Sequence, residues 1–450
     1  MWFRRDLRLH DNVALYHTLK AEKPVVPVFI FDKNILDQLE DKADGRVQFI
    51  HAALLEMQIQ LAKVGSTLET YYGTPKEIFI SIIKKYKVEN VYTNHDYEPY
   101  ALERDTTIKE LLDAAGINLI TFKDHVIFEK GEILKDNKSP YTVFSPYSRK
   151  WKAMLNESHL KAYSTSEFFS NFYKQSSILI TALEEMGFRK TETLFPSKQL
   201  REDIIKKYKS TRDFPGLVDG TSRLGVHLRF GTVSIRELAS IAKASDETYL
   251  NELIWRDFYQ MILWHFPHVG KGKAFRPEYE NIEFKNDERE FKLWCEGQTG
   301  YPLVDAGMRE LNATGFMHNR VRMVVASFLT KHLLIDWRWG EAYFAQKLLD
   351  FELASNNGGW QWAAGSGCDA APYFRIFNPM LQMQKFDKDF AYVKKWVPEF
   401  QEFTYTKPIV EHSIARKRAI EVYSKALKTH HQSASSNLGL TKLFSLLPKR

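Results

Sequence analysis

The N-terminal part of the chain alternates apolar runs of strand length with segments whose apolar residues recur every three or four positions. Four runs predict strands: the apolar run Val25–Phe31, which is expected to be buried, and Thr67–Tyr72, Val91–Asn94 and Ile117–Phe122. Three segments predict the helices between them: Phe49–Leu61, Ile78–Ile83 and Leu102–Leu112. Because strands and helices alternate with short connections, this part predicts a parallel α/β sheet, whose ligands bind beyond the carboxyl ends of the strands.

The pattern changes after residue 125 and again after residue 195. Residues 126–195 mix turn signals with some helical spacing, whereas the spacing from 196 to 428 is helical almost throughout. Glycine and proline predict interruptions of this helical region at Pro215–Gly216, Gly220, Gly270–Gly272 and Gly358–Gly359. The predicted organisation is an α/β domain over 1–125, an interdomain connection over 126–195, a helical domain over 196–428 and a poorly ordered basic tail over 429–450.

Composition changes this picture little. Hydrophobic residues make up 44% and charged residues 26% of the 450 positions, which is typical of a globular protein and excludes a disordered or fibrous chain. The sequence contains neither a membrane-spanning run nor a signal-peptide core, and Cys295 and Cys368 cannot form a disulfide framework, so we expect a cytoplasmic protein. The net charge of +7 favours a nucleic-acid partner only slightly.

Two common kinds of site are excluded by missing motifs. The predicted α/β domain contains neither G-x-G-x-x-G nor G-x-x-x-x-G-K-[ST], so it is not an ordinary dinucleotide or nucleoside-triphosphate site. His318 has no second histidine or carboxylate at ligand spacing, and we therefore predict no metal site.

The segment Asn251–Tyr259 combines charged and aromatic residues at helical spacing. On a helix, Glu252, Trp255, Arg256 and Tyr259 lie on one face. A solvated, salt-bridged face is the common explanation of such a stripe. Two large aromatic side chains among the charges are more typical of a polar-lined pocket or a binding surface.

Three further segments carry candidate chemistry. In Met317–Met323, Asn319, Arg322 and Met323 lie on one helical face and Arg320 on another, and arginine suits phosphate binding. In Asp350–Trp362, Asn356 has an amide suited to the edge of a heteroaromatic cofactor, and Trp362 a ring suited to stacking on a base. The hydroxyls of Thr221 and Ser222 precede helical sequence and suit a pyrophosphate, although for this motif taken alone a plain helix cap is the favoured explanation.

Taken together, six segments resemble motifs of the DNA photolyase/cryptochrome flavoprotein family, and the resemblance extends over residues 1–428. The segments are Trp2–Asn12, Gly220–Leu224, Asn251–Tyr259, Thr299–Ala306, Asn356–Trp362 and Asp369–Pro379. The resemblance implies an α/β fold class, with a Rossmann-like parallel-sheet antenna domain followed by an all-helical domain that holds FAD.

The resemblance also implies the roles of individual residues. FAD phosphates and ribityl chain would be held by Tyr208, Thr221, Ser222, Arg223, Leu224 and Gly225. The rest of the FAD pocket would be lined by Tyr249, Glu252, Arg256, Asn319, Arg322, Asp350, Phe351, Glu352 and Asn356, with Asn356 at flavin N5. Damaged DNA would be contacted by Glu252, Trp255, Asn319, Arg320, Met323 and Trp362. Glu252, Asn319 and Asn356 would act in catalysis.

The chain departs from the family pattern at three positions that bear on function. Glu352 stands where aspartate is common, which is a mild change. Trp360 and Trp337 match the inner two tryptophans of the family's electron-transfer chain, but Phe284 stands where the outer one is expected. Trp339 and Tyr279 are then candidates for the outer member.

The third departure concerns the antenna chromophore. Ala101 stands where folate-binding relatives often have glutamate, which disfavours a folate. The resemblance leaves a deazaflavin, a flavin or an empty antenna domain open.

Within the family, the residues favour repair of cyclobutane pyrimidine dimers. Enzymes for (6-4) photoproducts carry histidines where this chain has Asn319 and Met323. The resemblance implies that an electron passes from excited reduced FAD into a flipped-out dimer and, once the dimer has split, back to the flavin. Splitting also needs donors to the dimer carbonyls, which Asn319 and a protonated Glu252 would provide. The resemblance thus implies a class I photolyase acting on damaged DNA, which we expect to be monomeric and not bound to a membrane. A cryptochrome-type photoreceptor without repair activity is the alternative. A nucleic-acid enzyme without flavin is a weaker one.

Overall fold

The computed structural model describes the backbone of residues 1–444 and the side chains of residues 1–428. The chain divides into two compact units. The first comprises Met1–Arg212, Asp219–His265 and Leu348–Ala354, and the second comprises Asp213–Val218, Phe266–Lys347 and the residues from Ser355 onward. The domain boundaries predicted from the sequence at 125, 195 and 428 stay predictions.

Five parallel strands form two small sheets in the first unit. They are β1 (Trp2–Phe3), β2 (Val28–Asp32), β3 (Glu69–Gly73), β4 (Asn90–Asn94) and β5 (Asn118–Phe122). β1, β2 and β3 pair in that order and β4 pairs with β5, all in parallel. The Thr93 hydroxyl of β4 donates to the Trp2 carbonyl of β1 at 2.9 Å, so the two sheets lie edge to edge. Each of the four predicted runs overlaps a strand, and the parallel α/β prediction is confirmed.

Eleven helices belong to the first unit. They are α1 (Val13–Lys20), α2 (Lys33–Leu36), α3 (Gly45–Ala62), α4 (Pro75–Lys85), α5 (Pro99–Ala114), α6 (Phe144–Met154), α7 (Glu157–Leu160), α8 (Glu202–Thr211), α9 (Gly225–Phe230), α10 (Ile235–Ser245) and α11 (Glu247–His265). The three predicted helices correspond to α3, α4 and α5. Short 3₁₀ helices at Thr165–Asn171 and Glu184–Met186 lie in the predicted connection. Buried apolar side chains such as Phe3, Phe31 and Leu54 pack the sheet against its helices.

Within its described residues, the second unit is built from helices. They are α12 (Glu288–Glu296), α13 (Pro302–Thr314), α14 (Asn319–Ser327), α15 (Trp337–Lys347), α16 (Leu353–Ala364, which begins two residues before the unit), α17 (Pro379–Phe386), α18 (Ala391–Trp396) and α19 (His412–Phe444). A π-helical turn over Phe328–His332 follows α14, and 3₁₀ turns cover Val269–Lys271 and Pro277–Asn281.

Three of the four predicted interruptions are confirmed and one is wrong. Pro215–Gly216 and Gly220 lie between α8 and α9, and Gly270–Gly272 lies between α11 and α12. Gly358 and Gly359, however, lie inside α16. A glycine costs a helix interior only about 1 kcal/mol relative to alanine, so the packing of the other residues of α16 is sufficient to keep the helix continuous.

The predicted tail coincides with the end of α19. Its backbone is helical as far as Phe444, whereas residues 445–450 and the side chains beyond 428 lie outside the described residues. The poor order predicted for this tail stays a prediction. Along the described part of the chain, no helix is long and apolar enough to cross a membrane.

Candidate functional site

In the first unit, the glycine-containing turn before α9 brings three predicted cofactor residues together. The Ser222 hydroxyl lies 2.8 Å from the Tyr249 hydroxyl, and the Tyr249 ring meets the Tyr208 ring edge-on with centroids 4.9 Å apart. Burial raises the pKa of Tyr249 to about 12, against a smaller opposing effect of Ser222, so the phenol keeps its proton. Arg223 is exposed and adopts a φ of 53°, and Thr221 is half-buried. Hydroxyl and guanidinium donors of this kind fit a phosphate.

A close backbone approach places Asp350 against the start of α9. A Cβ atom added to Gly225 would lie 2.5 Å from Asp350 Oδ2, so only glycine admits the carboxylate at this distance. The positive end of the helix dipole stabilises an anion there. Asp350 and Gly225 are therefore brought together as predicted residues of one site, next to the buried Leu224. Phe351, which follows Asp350, is half-buried.

Glu352 is the centre of a buried ionic cluster. Its Oε1 accepts from Arg5 Nη2 at 2.5 Å and from Arg256 Nη2 at 2.9 Å. Burial alone would raise the pKa of Glu352, but the charges of Arg256 and Arg5 outweigh burial and hold the pKa at about 2. The carboxylate stays ionised although it is only 5% exposed. The exchange of aspartate for glutamate at this position therefore keeps an anion between two guanidinium groups.

The cluster extends to the carboxyl end of β4. Arg5 Nη1 lies 3.0 Å from Asp96 and 3.2 Å from Glu98, and Arg229 lies 2.6 Å from Glu98. Burial alone would raise the pKa of Asp96, but the neighbouring positive charges, of which Arg5 is the strongest, together outweigh burial and lower the pKa far below its usual range. Sequence reasoning quoted Arg5 within the opening motif but assigned it no role, because no periodic pattern connects it to Glu352.

Glu252 forms an ion pair with Arg212, and both side chains are partly exposed. Arg212 in turn lies 5.3 Å above the Tyr208 ring. A neighbouring cation favours the charged carboxylate, so the pair opposes the protonated form that the sequence interpretation assigned to Glu252. Arg212 was not among the predicted site residues, and the only sequence signal for it is its place just before Pro215–Gly216.

Trp255, which follows Glu252 by three residues on α11, lies in an aromatic cluster. Its ring stacks on Phe144 with centroids 3.8 Å apart and planes 4° from parallel. The Phe258 and Tyr259 rings lie 5.5 Å and 5.4 Å away. Arg256 points to the buried side of the same helix, so α11 presents a mixed surface. Its more exposed side combines both features that the sequence suggested, an ion pair at Glu252 and an aromatic cluster at Trp255.

In the second unit, four predicted residues lie in the first two turns of α14. Asn319 is exposed, and Arg322 donates to the Met317 carbonyl at 2.8 Å. Arg320 Nη2 lies 2.5 Å from Asp213, Nη1 lies 3.9 Å from the Met323 sulfur, and the guanidinium lies 4.4 Å above the Phe386 ring. The start of α14 thus presents an amide, a guanidinium and a thioether side by side.

Asn356 is oriented by a residue that sequence reasoning missed. Its Nδ2 donates to the Glu341 backbone carbonyl and to Glu341 Oε1, both at 3.1 Å, so Oδ1 points away from Glu341. Burial raises the pKa of Glu341, with a smaller opposing effect of the Asn356 hydrogen bond. Glu341 lies fifteen residues before Asn356 on α15, a separation with no sequence signal.

The two matched tryptophans are both buried in the second unit. Trp360 packs edge-on against Phe344 at 5.0 Å and against Trp294 at 6.0 Å. A Cβ atom on Gly340 would lie 2.1 Å from Trp360, so glycine gives the indole its place beside α15, the helix that begins at Trp337. Trp362, two residues after Trp360, is half-buried.

The candidates for the outer electron-transfer position lie in separate ring clusters. Phe284 and Tyr279 both neighbour Tyr423, with centroids 6.5 Å and 6.3 Å from it. Trp339 neighbours Phe291 at 5.2 Å. Trp294, which the sequence analysis did not consider, is an oxidisable side chain whose ring contacts Trp360.

Two other expectations concern ligands. Among the described residues, no group of three or more His, Cys, Asp or Glu side chains could hold a metal ion. Ala101 is buried on α5, and the expectation that folate is disfavoured stays a prediction.

Comparison with known proteins gives matches over most of the chain. A family model described as DNA photolyase matches residues 1–165, and one described as the FAD binding domain of DNA photolyase matches residues 249–404. The deoxyribodipyrimidine photo-lyase of Synechococcus sp. is 36% identical, with 94% of this chain and 96% of that protein covered. The crystal structure of a bacterial class III photolyase from Agrobacterium tumefaciens is similar with a TM-score of 0.82 and 33% identity, over 95% of this chain and 97% of that chain. An archaeal photolyase from Sulfolobus tokodaii, solved with two FAD molecules, is similar with a TM-score of 0.80 and 32% identity, over 94% of this chain and 99% of that chain.

Proposed function

The chain belongs to the DNA photolyase family, and from this premise we propose that it repairs cyclobutane pyrimidine dimers in DNA by a light-driven electron transfer. One observation carries the choice of lesion. The start of α14 presents the exposed Asn319 and the half-buried Met323, where a (6-4) enzyme would have histidines. An amide donor beside an apolar thioether suits the carbonyls and rings of a cyclobutane dimer, whose splitting needs no added proton donor.

FAD is the cofactor that the matched helical domain binds, and in its reduced, light-excited form it supplies the electron. Its phosphates and ribityl chain are assigned to Tyr208 and Thr221–Gly225, whose hydroxyls, guanidinium and close backbone turn fit an anion. Tyr249, Arg256, Arg322, Asp350, Phe351 and Glu352 are assigned to the rest of the pocket. Asn356 is held by Glu341 with its Oδ1 pointing away, which suits an acceptor for a protonated flavin nitrogen.

The residues assigned to DNA binding make two kinds of contact, with the bases of the lesion and with the phosphates. Trp255 and Trp362 offer rings for stacking on an extruded lesion, and Met323 adds apolar contact. Arg212 and Arg320 are partly exposed guanidinium groups, each already paired with a carboxylate, and both suit DNA phosphates. Glu252 is assigned, in its protonated form, as a donor to a dimer carbonyl. A phosphate that binds Arg212 would compete with Glu252 for this guanidinium and so weaken the ion pair that opposes that form.

We expect the purified protein with reduced FAD to restore a dimer-containing oligonucleotide under blue light and not in the dark. The measurement is loss of the cyclobutane dimer, with the same oligonucleotide carrying a (6-4) photoproduct as the matched control. Repair of the cyclobutane lesion alone supports the proposal.

An absence of light-dependent repair by fully reduced protein would refute it. Strong flavin absorbance without repair would favour the photoreceptor alternative, and a colourless protein a nucleic-acid enzyme without flavin.

We expect Trp255→Ala to weaken binding to dimer-containing DNA by about 1–3 kcal/mol, because one base-stacking ring is lost, and to leave binding to undamaged DNA nearly unchanged. Both affinities are measured at one fixed salt concentration, since phosphate contacts make them salt-dependent. The control is Trp264→Ala on the same helix, where the indole lies under Lys130. Equal weakening of both DNA complexes by Trp255→Ala would instead indicate a folding effect.

The second chromophore stays open. The related Sulfolobus tokodaii photolyase contains two FAD molecules, which keeps a flavin among the candidates for this chain beside a deazaflavin and an empty antenna domain.

A further inference from the structure

Helix α6 runs antiparallel along α11, and three contacts define their register. The Lys152 ammonium lies 2.5 Å from Glu247, and the Ser148 hydroxyl donates to Asn251 Oδ1 at 3.0 Å. The third contact, at the first residue of α6, is the stack of Phe144 on Trp255. From one contact to the next, the residue number rises by four on α6 and falls by four on α11. One face of α6 is therefore matched to one face of α11 over its whole length.

The Phe144–Trp255 contact differs from the rest of the cluster. The two rings are nearly parallel, with planes 4° apart and centroids 3.8 Å apart, whereas Phe258 meets Trp255 edge-on at 80°. Tyr147 and Phe258 are fully buried beneath the pair and pack on one another at 5.1 Å. Phe144 and Trp255 are only half-buried, so the stack stands at the surface on a rigid base.

We propose that Phe144 is a positioning residue for lesion recognition, which holds the Trp255 indole in one plane so that its exposed part meets the extruded pyrimidine dimer without reorientation. This inference rests on the proposed function. An indole that is already fixed loses less conformational freedom when a base stacks on it, and the saving appears as affinity for the lesion. Undamaged DNA, which offers no extruded base to Trp255, gains nothing from the same ordering.

The first test compares damaged and undamaged DNA. Phe144→Ala is expected to lower the preference of the full-length, FAD-loaded protein for a dimer-containing duplex by about three- to tenfold, the range expected for loss of one aromatic pair. Phe144→Tyr keeps a stacking ring and should retain the preference. Val143→Ala changes the exposed neighbouring residue and should have no effect. An unchanged preference in Phe144→Ala, or an equal loss of affinity for both duplexes, would overturn the proposal.

The second test separates positioning from general stability by a double-mutant cycle. If Phe144 acts through Trp255, Phe144→Ala should cause no further loss of preference in a Trp255→Ala background. Additive losses would show that Phe144 acts on the lesion by itself or through the fold, and would contradict the proposal.

A third measurement needs no DNA. Near-ultraviolet circular dichroism reports how rigidly aromatic rings are held. Phe144→Ala should therefore change the spectrum clearly in the wild-type background, and much less in the Trp255→Ala background, where Phe144 keeps only its edge-on contact with Phe258 among the ring contacts that the structure describes. A change of equal size in both backgrounds would overturn the proposal. If the wild-type protein shows no preference for damaged DNA, the proposed function fails, while this spectrum still decides whether Phe144 orders Trp255.

Discussion

Replacing Asp124 with alanine is expected to lower the free energy of unfolding by about 3–5 kcal/mol, because the change removes the carboxylate that two buried guanidinium groups share. Asp124 is fully buried after β5 and accepts from Arg8 Nη2 at 2.8 Å and from Arg236 Nη2 at 2.9 Å. It also accepts from the Val13 backbone at 3.2 Å. Asp11 also contacts Arg236, but this one carboxylate cannot neutralise both cations.

The effect should depend on pH with a definite sign. Burial alone would raise the pKa of Asp124, but the charges of Arg8 and Arg236 outweigh burial and hold it at about 2, below the ordinary value of 3.8. A lowered pKa adds stability that is complete above the ordinary value and is lost as the pH falls through the lowered one. The difference in the free energy of unfolding between the wild-type protein and Asp124→Ala should therefore become smaller as the pH falls from about 4 to about 2.

Urea titration followed by circular dichroism measures the loss. The control is Asp113→Ala, which removes a carboxylate paired with Lys109 on the exposed face of α5 and should cause no comparable loss, since exposed ion pairs contribute little. A loss for Asp124→Ala as small as that of the control would show that the two arginines reach solvent or another anion in the variant.

The α/β part of the fold was predictable because strand-like runs and helical spacing alternate along it. β2, β3, β4 and β5 each overlap a predicted run, and α3 to α5 follow from three- and four-residue spacing. β2 is buried along its whole length, whereas no residue of β5 is buried. The error at Gly358–Gly359 has the opposite origin. Glycine propensity was weighed alone, whereas the continuity of α16 depends on packing that no local pattern encodes.

The sequence predicted which residues form the candidate site, but not which residues bind and orient them. The sequence motifs named Glu252, Glu352 and Asn356, and also Arg256, which binds Glu352. They gave no site role to three other residues that hold them, Arg212, Arg5 and Glu341. Glu352 and Arg5 are 347 positions apart, and the only sequence signals for such a pair are the opposite charges themselves. The same holds for Phe144, whose stack on Trp255 follows from the register of two helices and not from either helix alone.

The electron route to the cofactor shows how far motif matching extends. Trp360 and Trp337 match the family pattern, and Phe284 breaks it. Phenylalanine is much harder to oxidise than tryptophan or tyrosine. Another aromatic side chain must therefore supply electrons to the electron-transfer route. Trp294 lies 6.0 Å from Trp360 and 5.8 Å from Tyr343, whose side chain is half-buried. These contacts offer a second way into Trp360 besides Trp337.

Trp360→Phe is therefore expected to abolish light-driven reduction of oxidised FAD, because both candidate routes pass through this ring. The measurement is flavin absorbance under blue light with an external reductant. Repair by chemically reduced protein should be largely kept, since repair starts from a cofactor that already carries its electrons. Trp337→Phe and Trp294→Phe then divide the two routes, and the variant that slows photoreduction more identifies the main donor to Trp360. Normal photoreduction in Trp360→Phe would mean that electrons enter by another path, and Trp360 and Trp337 would be packing residues of the helical unit.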